Sequence, residues 1–532
     1  MQPSVNAQPK PRESNPTVEN AGRVFSTRLL LYLTLAKFTI QYLFLNPAYQ
    51  LHRDEYLYLD QGKHLAWGFL EVPPVISVLA WFTQLMGNNI FWVKFWPALF
   101  GALTLYVMGK TVQKLGGGTF ALLLTGVCFI FSAYLRLNLL FQPNSLDILL
   151  WTLYFYLLIR FIQTNKNNYL YALGFALAIG LLNKYTVGFF IIGTLVGFLL
   201  TRYRQLFRQK VFYWTTLLTA VLVLPNLIWQ LQHDLPFFTH MRELQERQLQ
   251  HVALGDFLKD QIIMCIGALP VWPLGLGALF LSRWGKPYVL LGIIFLVVMG
   301  LLIGLQGKNY YTLGLYPILI AIGSVSWEKI TQQSWQYWLR PVLLAFPFFF
   351  LFPVFPLVLP VLSPLATATY ATKFIDFGIL RWEDGQNHQL PQDYADMLGW
   401  QELTDLVAKA YAQIPPNQRQ QTIILCDNYG QAGAINYYGR KANLPPAHAE
   451  NASYLLWLPQ PLTFRNVILV GDTPDPEHQK LFRSIKNIGR ISDSLAREKG
   501  TSVIVLTGAD QQIIDIVNNR IKEKKAVFGY KN

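Results

Sequence analysis

The sequence predicts a polytopic α-helical membrane protein with an α/β domain at its C-terminal end. Three observations carry that reading. First, 52% of the 532 residues are hydrophobic, 15% are aromatic and only 14% are charged, against roughly 25% charged in a soluble domain. Second, apolar runs such as 29–45, 288–305 and 341–362 approach or exceed the roughly 18 residues that mark a bilayer span. Third, the last third of the chain changes to short apolar strands alternating with amphipathic helices.

The net charge of +14 invites a nucleic-acid partner, and its distribution argues against one. Residues 366–532 hold 18 Lys/Arg and 17 Asp/Glu, so the surplus lies in the helical part, with 26 basic and 13 acidic residues. There the basic residues fall in alternate loops, as the positive-inside rule requires. The three cysteines are too few and too scattered for a disulfide framework and read as small buried hydrophobes.

Residues 1–24 are polar with four prolines and read as a disordered cytoplasmic tail. A first span follows at about 27–47, flanked by Lys10, Arg12, Arg23 and Arg28 without a small-residue cleavage site, which reads as a retained signal-anchor. The basic loops then fix about eleven spans over 25–364 in the plasma (inner) membrane, N-terminus inside, and place 365–532 outside the cytoplasm. The piece PPVISVLAWFTQLMG is too short to span and reads as an interfacial helix. In the C-terminal domain TIILCD, SYLLWLP, NVILVGD and SVIVLTG read as strands of a largely parallel sheet. YGQAGAINYYGRK, PEHQKLFRSIK and DQQIIDIVNNRIKEK read as its helices. No Gly-rich phosphate fingerprint is present, so this domain is expected to shape access to a site rather than to do chemistry.

Chemistry-bearing residues gather in the loops predicted to face outward. Asp54 and Glu55 stand where the first span ends; helical spacing puts Asp54 and Tyr58 on one face and turns Glu55 away. Asp54 reads equally as an ordinary acid of a helix's first turn. His52, His64 and Glu71 are candidate ligands of a divalent metal, although their spacing matches no tight motif. Arg136, Asn144 and Asp147 lie in the turn between the third and fourth spans, where an acid near lipid is a functional candidate. Lys184 sits mid-way through a 34-residue apolar hairpin and Lys308 between two spans, beside Tyr310 and Tyr311. As compact cations at the interface, Lys184 and Lys308 suit a phosphate or simply snorkel, and snorkelling is the reading for Lys37 in the first span.

Taken in order, RDEYLYLDQGKHLAWGFLEVPP, the LGGG turn at 115–118, QPNSLDILLWTLYFYLLIR, GLLNKYT, LPNLIWQLQHDLP and KNYYTLGLYP cover most of the chain. Together they resemble the polyprenyl-phosphate-sugar-dependent glycosyltransferases related to dolichyl-phosphate-mannose protein mannosyltransferases and lipid A aminoarabinose transferases. The motif YGQAGAINYYGRKANLPP also resembles the C-terminal part of one bacterial branch. The resemblance implies a GT-C type fold and an inverting transfer of a sugar from a polyprenyl-phosphate donor to an extracytoplasmic acceptor, whether a cell-envelope glycolipid, a glycan or a protein. It implies Asp54 as the catalytic carboxylate and Lys308, with Lys184, as donor-phosphate contacts; Arg136 is a third candidate for that phosphate. Glu55, Tyr58, Glu71, Asn144, Asp147, Tyr310 and Tyr311 are the candidate substrate-binding residues. Val72 follows Glu71 where the aminoarabinose transferases carry lysine, so neither their lipid-phosphate contact at that position nor their acceptor is implied. The rival from another class is a lipid-linked sugar transporter or flippase, which favours internal repeats that this sequence lacks.

Overall fold

The computed structural model describes residues 16–247 and 254–529. Much of the expected disordered tail, residues 1–15, lies outside that range; from Pro16 the chain is already helical, eleven residues before the expected start of the first span. The helical part comprises α1 (Pro16–Leu43), α2 (Arg53–Gln61), α3 (Val75–Leu85), α4 (Ile90–Lys114), α5 (Thr119–Ile130) and α6 (Tyr134–Leu137). It continues with α7 (Pro143–Thr164), α8 (Asn168–Leu181), α9 (Val187–Leu200), α10 (Lys210–Gln232) and α11 (Pro236–Arg247). From residue 254 on come α12 (Leu254–Met264), α13 (Trp272–Leu281), α14 (Val289–Gly304), α15 (Tyr316–Ile330) and α16 (Leu339–Leu351).

Six helical stretches among the described residues are long and apolar enough to cross a membrane, or seven if the bent pair Val187–Leu200 and Arg202–Arg208 is one span. They differ in burial. Within their most apolar windows Pro143–Thr164 is 72% buried and Asn309–Ile330 78%, whereas Lys210–Gln232 is only 17% buried. Equally apolar helices therefore do different jobs: α7 and α15 form the centre of the bundle, and α10 presents Leu217, Val221, Leu224 and Leu231 outward. The interfacial piece forms α3, a short apolar helix as expected.

Local chemistry sets the element ends. Pro143 occupies the first turn of α7, where its missing N–H costs nothing. Asn89 caps α4 by accepting from the Trp92 amide at 3.2 Å. The LGGG turn needs its glycines: Gly116 has φ +82°, and a Cβ on Gly117 would lie 2.6 Å from Val112. The turn opens α5, whose first amides are held by one carboxylate. Glu328 accepts from Gly118, and from Phe120 and Ala121 at 3.1 and 3.3 Å, an anion on a helix N-terminus.

Lys37 corrects the sequence reading. Instead of snorkelling it is wholly buried and donates to the Tyr134 carbonyl at 3.3 Å and to Gln41 at 3.5 Å. The one-turn helix α6 leaves carbonyls short of intrahelical partners: Gln41 of α1 donates to the Leu135 carbonyl at 3.0 Å, and Lys37 is a second donor to the Tyr134 carbonyl, which also accepts from the Asn138 amide at 3.2 Å.

The C-terminal part adds α17 (Phe355–Val358), α18 (Pro364–Ala371), α19 (Gln392–Ala395), α20 (Trp400–Ala412), α21 (Tyr429–Tyr438), α22 (Tyr454–Trp457), α23 (Pro476–Gln479) and α24 (Gln511–Ala526). Its strands are β1 (Thr422–Cys426), β2 (Ala447–Ala449), β3 (Asn466–Gly471), β4 (Ser484–Arg490) and β5 (Ser502–Thr507), in the order β2-β1-β3-β5-β4. The sheet is mixed, not largely parallel: β1 pairs in parallel with β2 and β3, while β5 pairs antiparallel with β3 and β4. Two segments change type. SYLLWLP, read as a strand, makes the single turn α22, and RSIK, read as helix, opens the edge strand β4. TIILC, NVILVG and SVIVLT form strands as expected, and Cys128, Cys265 and Cys426 are free and buried.

The loop after α1 and the C-terminal part share one hydrophobic core. Tyr49, Leu51, Tyr56, Leu57 and Leu59 pack in a single cluster with Tyr394, Trp400, Leu403 and Ile435.

Candidate active site

The site is built around α2. His52 caps this helix, accepting from the Asp54 amide at 3.2 Å while its own amide donates to Glu55 at 2.8 Å. That capping box fixes the register of two adjacent carboxylates, about 100° apart on the helix. Their surroundings then diverge.

Glu55 is wholly buried. It accepts from Lys94 of α4 at 2.6 and 2.7 Å and from the Phe141 amide, just before α7, at 2.7 Å. All its acceptor sites face protein, so the expectation that it binds substrate is corrected: it ties α2, α4 and the start of α7 together.

Asp54 keeps 28% of its side chain exposed. Tyr429 of α21 donates to Oδ1 at 2.8 Å and Gln142 to Oδ2 at 3.2 Å. A carboxylate has about four lone-pair positions, so capacity remains for an incoming hydroxyl. Burial pushes its pKa up, but His52, Arg53, the Tyr429 hydroxyl and Lys308 together outweigh it and hold the group below the usual carboxylate value. Tyr429 is pushed well above the usual phenol value by burial and by Asp54, so it remains an O–H donor. The pair is a carboxylate facing a neutral phenol.

From Asp54 a polar chain runs to Lys184. Asn144 donates to Gln142 at 3.0 Å, and Lys184 donates to Asn144 at 2.6 Å. Lys184 also lies 5.2 and 4.6 Å from the ring centres of Tyr310 and Tyr311, and Lys308 lies 5.9 Å from that of Tyr310. The two lysines thus flank one aromatic platform, the 3₁₀ turn Asn309–Leu315 that leads into α15. Lys308 is paired with Glu383 at 3.2 Å. The two most buried helical stretches therefore supply Gln142, Asn144, Tyr310 and Tyr311 to the site. Asp147 backs it, buried and accepting from Trp151 at 3.0 Å and Thr186 at 3.3 Å.

Other expected residues lie elsewhere or have other partners. Arg136 stacks on Tyr394 at 4.5 Å and pairs with Asp393 at 3.5 Å. Its Nη1 and the Nε of Arg53 are buried without hydrogen-bond partners. Tyr58 lies half-buried one turn beyond Asp54. Glu71 accepts from the Ser453 amide at 2.5 Å, the Ser453 hydroxyl at 2.6 Å and Gln61 at 3.1 Å, and burial raises its pKa. It fastens α22 to the loop before α3. The metal candidates disperse: His52 is used in the cap, His64 stacks on Trp457 at 4.3 Å and Glu71 is held by Ser453. Among the described residues no three His, Cys, Asp or Glu side chains gather as a metal site. These residues do not fit a divalent ion.

The sequence reading missed Gln142, Arg53, Glu383 and Tyr429. Gln142 stood inside the quoted QPN motif, and its extended backbone immediately before Pro143 was the available signal. Tyr429 opens the quoted YGQAGAINYYGRK motif, but it lies 375 residues from Asp54 and nothing local pointed to that partner. Its contact brings the C-terminal part, expected to shape access, into hydrogen-bond reach of Asp54.

Comparisons with known proteins bear out the motif resemblance. Residues 71–229 match the family described as dolichyl-phosphate-mannose-protein mannosyltransferase. The lipid A galacturonosyltransferase RgtD of Rhizobium johnstonii is 30% identical over 195 residues, 36% of this chain and 41% of that protein. The chain thus spans about two fifths of the length of this curated relative. The crystal structure of ArnT from Cupriavidus metallidurans bound to undecaprenyl phosphate superposes with a TM-score of 0.60 at 12% identity, covering 90% of this chain and 97% of that one. The apo state of the same protein gives 0.58 at 12% identity, covering 92% and 98%. At that identity the likeness is one of fold. It extends through the C-terminal sheet, and with the apolar helices it makes this chain a multi-pass membrane protein.

Proposed function

We propose that this chain is an inverting glycosyltransferase that moves a sugar from a polyprenyl-phosphate donor to an extracytoplasmic acceptor in the cell envelope. The observation that supports it most is one cluster: the partly exposed Asp54 carboxylate, Lys184 and Lys308 around the Tyr310–Tyr311 platform, all at one end of the most buried apolar helices. The names of the relatives, a lipid A galacturonosyltransferase and an ArnT bound to undecaprenyl phosphate, agree with that donor and favour a glycolipid acceptor.

In this reading the donor keeps its tail in lipid and its phosphate at the interface. An acceptor hydroxyl gives its proton to Asp54 as its oxygen attacks the anomeric carbon. The bond from that carbon to the phosphate oxygen breaks, and the electron pair leaves with polyprenyl phosphate. Lys184 and Lys308 stabilise the growing charge. Single displacement inverts the configuration. Asp54 is suited to the base role because it stays deprotonated, and Asn144 couples it to Lys184 through Gln142.

The topology belongs to the same proposal. Helices α1, α4, α5, α7, α8, α9, α10, α13, α14, α15 and α16 make eleven spans over 25–364, with the N-terminus cytoplasmic and 365–532 outside the plasma membrane, covering the site. The test is direct. Purified protein given a polyprenyl-phosphate sugar and a cell-envelope lipid extract should form a glycosylated lipid with inverted anomeric configuration. Mass spectrometry of the purified protein should find bound polyprenyl phosphate. Donor-dependent movement of lipid across a vesicle membrane without any glycosylated product would instead favour the flippase reading.

A further inference from the structure

The contact between α21 and α2 carries more than packing. Helix α21 approaches α2 through its glycines: a Cβ on Gly433 would stand 2.7 Å from the Tyr56 Cβ and 2.9 Å from the Tyr454 hydroxyl. Asn436 of α21 and Tyr454 of α22 both donate to Asp60 of α2, at 2.7 and 2.6 Å. At the other end Asn428 caps α21, accepting from the Gly430 and Gln431 amides at 2.9 and 3.1 Å, and donates to Glu498 at 3.2 Å. The first residue of α21 is therefore fixed in place, and its hydroxyl meets Asp54.

We propose that Tyr429 is a positioning residue for Asp54, so that the catalytic centre is divided between the membrane helices and the C-terminal sheet region. The proposal rests on the reading of Asp54 as general base. With Oδ1 held by Tyr429 and Oδ2 by Gln142, the carboxylate has one rotamer, and its remaining lone pairs are aimed for the acceptor hydroxyl. The ring of Tyr429 also lies 5.0 Å beneath the Arg53 guanidinium, 3.7 Å from the same carboxylate. The charged and titratable groups facing Asp54 are His52, Arg53 and Tyr58 from α2, Tyr429 from α21, Lys308 and Tyr310 from the turn before α15, and Asp396 behind His52.

Tyr429→Phe in the full chain removes one O–H and keeps the ring. Losing a hydrogen bond to a charged group should lower kcat roughly tenfold or more, with the KM for a polyprenyl-phosphate sugar within about twofold of wild type. That O–H favours the ionised carboxylate, so its loss raises the Asp54 pKa and moves the acid limb of the kcat profile to higher pH. Tyr437→Phe is the control: its hydroxyl binds the Asn88 carbonyl at 3.0 Å, away from Asp54, and its loss should leave the limb where it is. A Tyr429→Phe enzyme with wild-type kcat and an unmoved limb overturns the proposal. So does one that is less active equally at every pH with a lowered melting temperature, which is a structural effect alone. Asp54→Asn run in parallel separates the two ideas. If it is impaired while Tyr429→Phe is normal, only the role of Tyr429 falls; if it transfers normally, the base assignment falls and this proposal with it.

Discussion

The two faces of α2 hold adjacent carboxylates of the same chemistry in opposite circumstances. On one face Glu55 is sealed from solvent and satisfied by Lys94, the Phe141 amide and its own cap. On the other Asp54 is partly exposed, held by two donors, and ringed by cations that are only partly paired. A buried carboxylate with every acceptor position filled has nothing left to offer a ligand. One that is oriented yet still has free lone pairs can receive a proton. Sequence adjacency therefore says little about shared function; the 100° step along the helix decides it.

The largest effect that would break this contrast is in Glu55→Gln. Removing one partner of a buried ion pair leaves the other charge uncompensated, typically at a cost of about 3–5 kcal/mol. The variant should show a sharply lower melting temperature in detergent, while transfer per folded molecule stays close to wild type. A stable but inactive Glu55→Gln would exchange the roles assigned to the two faces.

A smaller effect is expected on the cationic side. Lys308→Ala should weaken binding of a polyprenyl-phosphate sugar by the roughly 1.5–3 kcal/mol of a charged hydrogen bond, measured by donor titration. Unchanged donor affinity would move the phosphate elsewhere. The smallest effect concerns Glu383, which occupies Lys308 at 3.2 Å. Burial raises the Glu383 pKa, but Lys308 and Gln392 outweigh it and hold the group below its usual value. The pair therefore persists at neutral pH and weakens only as pH falls through that lowered value. A donor phosphate competes with it, so Glu383→Gln should tighten donor binding a few-fold at pH 7. Weaker binding would make Glu383 a partner of the substrate rather than a competitor.

How much of this was legible in the sequence depends on distance along the chain. Asp54 and Glu55 were readable because a helix's first turn has local rules, and their divergence follows from spacing alone. Lys184 and Lys308 stood out as cations in apolar hairpins, where few structural roles explain them. Lys37 was read as snorkelling, and its buried role escaped because the Tyr134 carbonyl it meets lies 97 residues away. In the C-terminal part the strands with continuous apolar runs were plain. SYLLWLP was ambiguous, since short apolar runs do not separate strand from helix, and its Ser453 and Tyr454 bind Glu71 and Asp60 of the first loop instead of a sheet neighbour. The strand β4 was hidden because Lys486 and Arg490 are exposed at the sheet's edge, where charge discourages further pairing. Tyr429 was invisible for the same reason as β2: its role is set entirely by what the fold brings beside it.

The central claim is that Asp54 takes the proton of the acceptor. Single-turnover transfer from pre-bound polyprenyl-phosphate sugar, compared between wild type and Asp54→Asn, tests it most directly. Asparagine keeps the size and can still accept from Tyr429, but it takes no proton at neutral pH. General-base catalysis is worth about 10²–10⁴ in rate, so the chemical step should slow by that order with donor affinity essentially unchanged. A turnover rate equal to wild type would contradict the account.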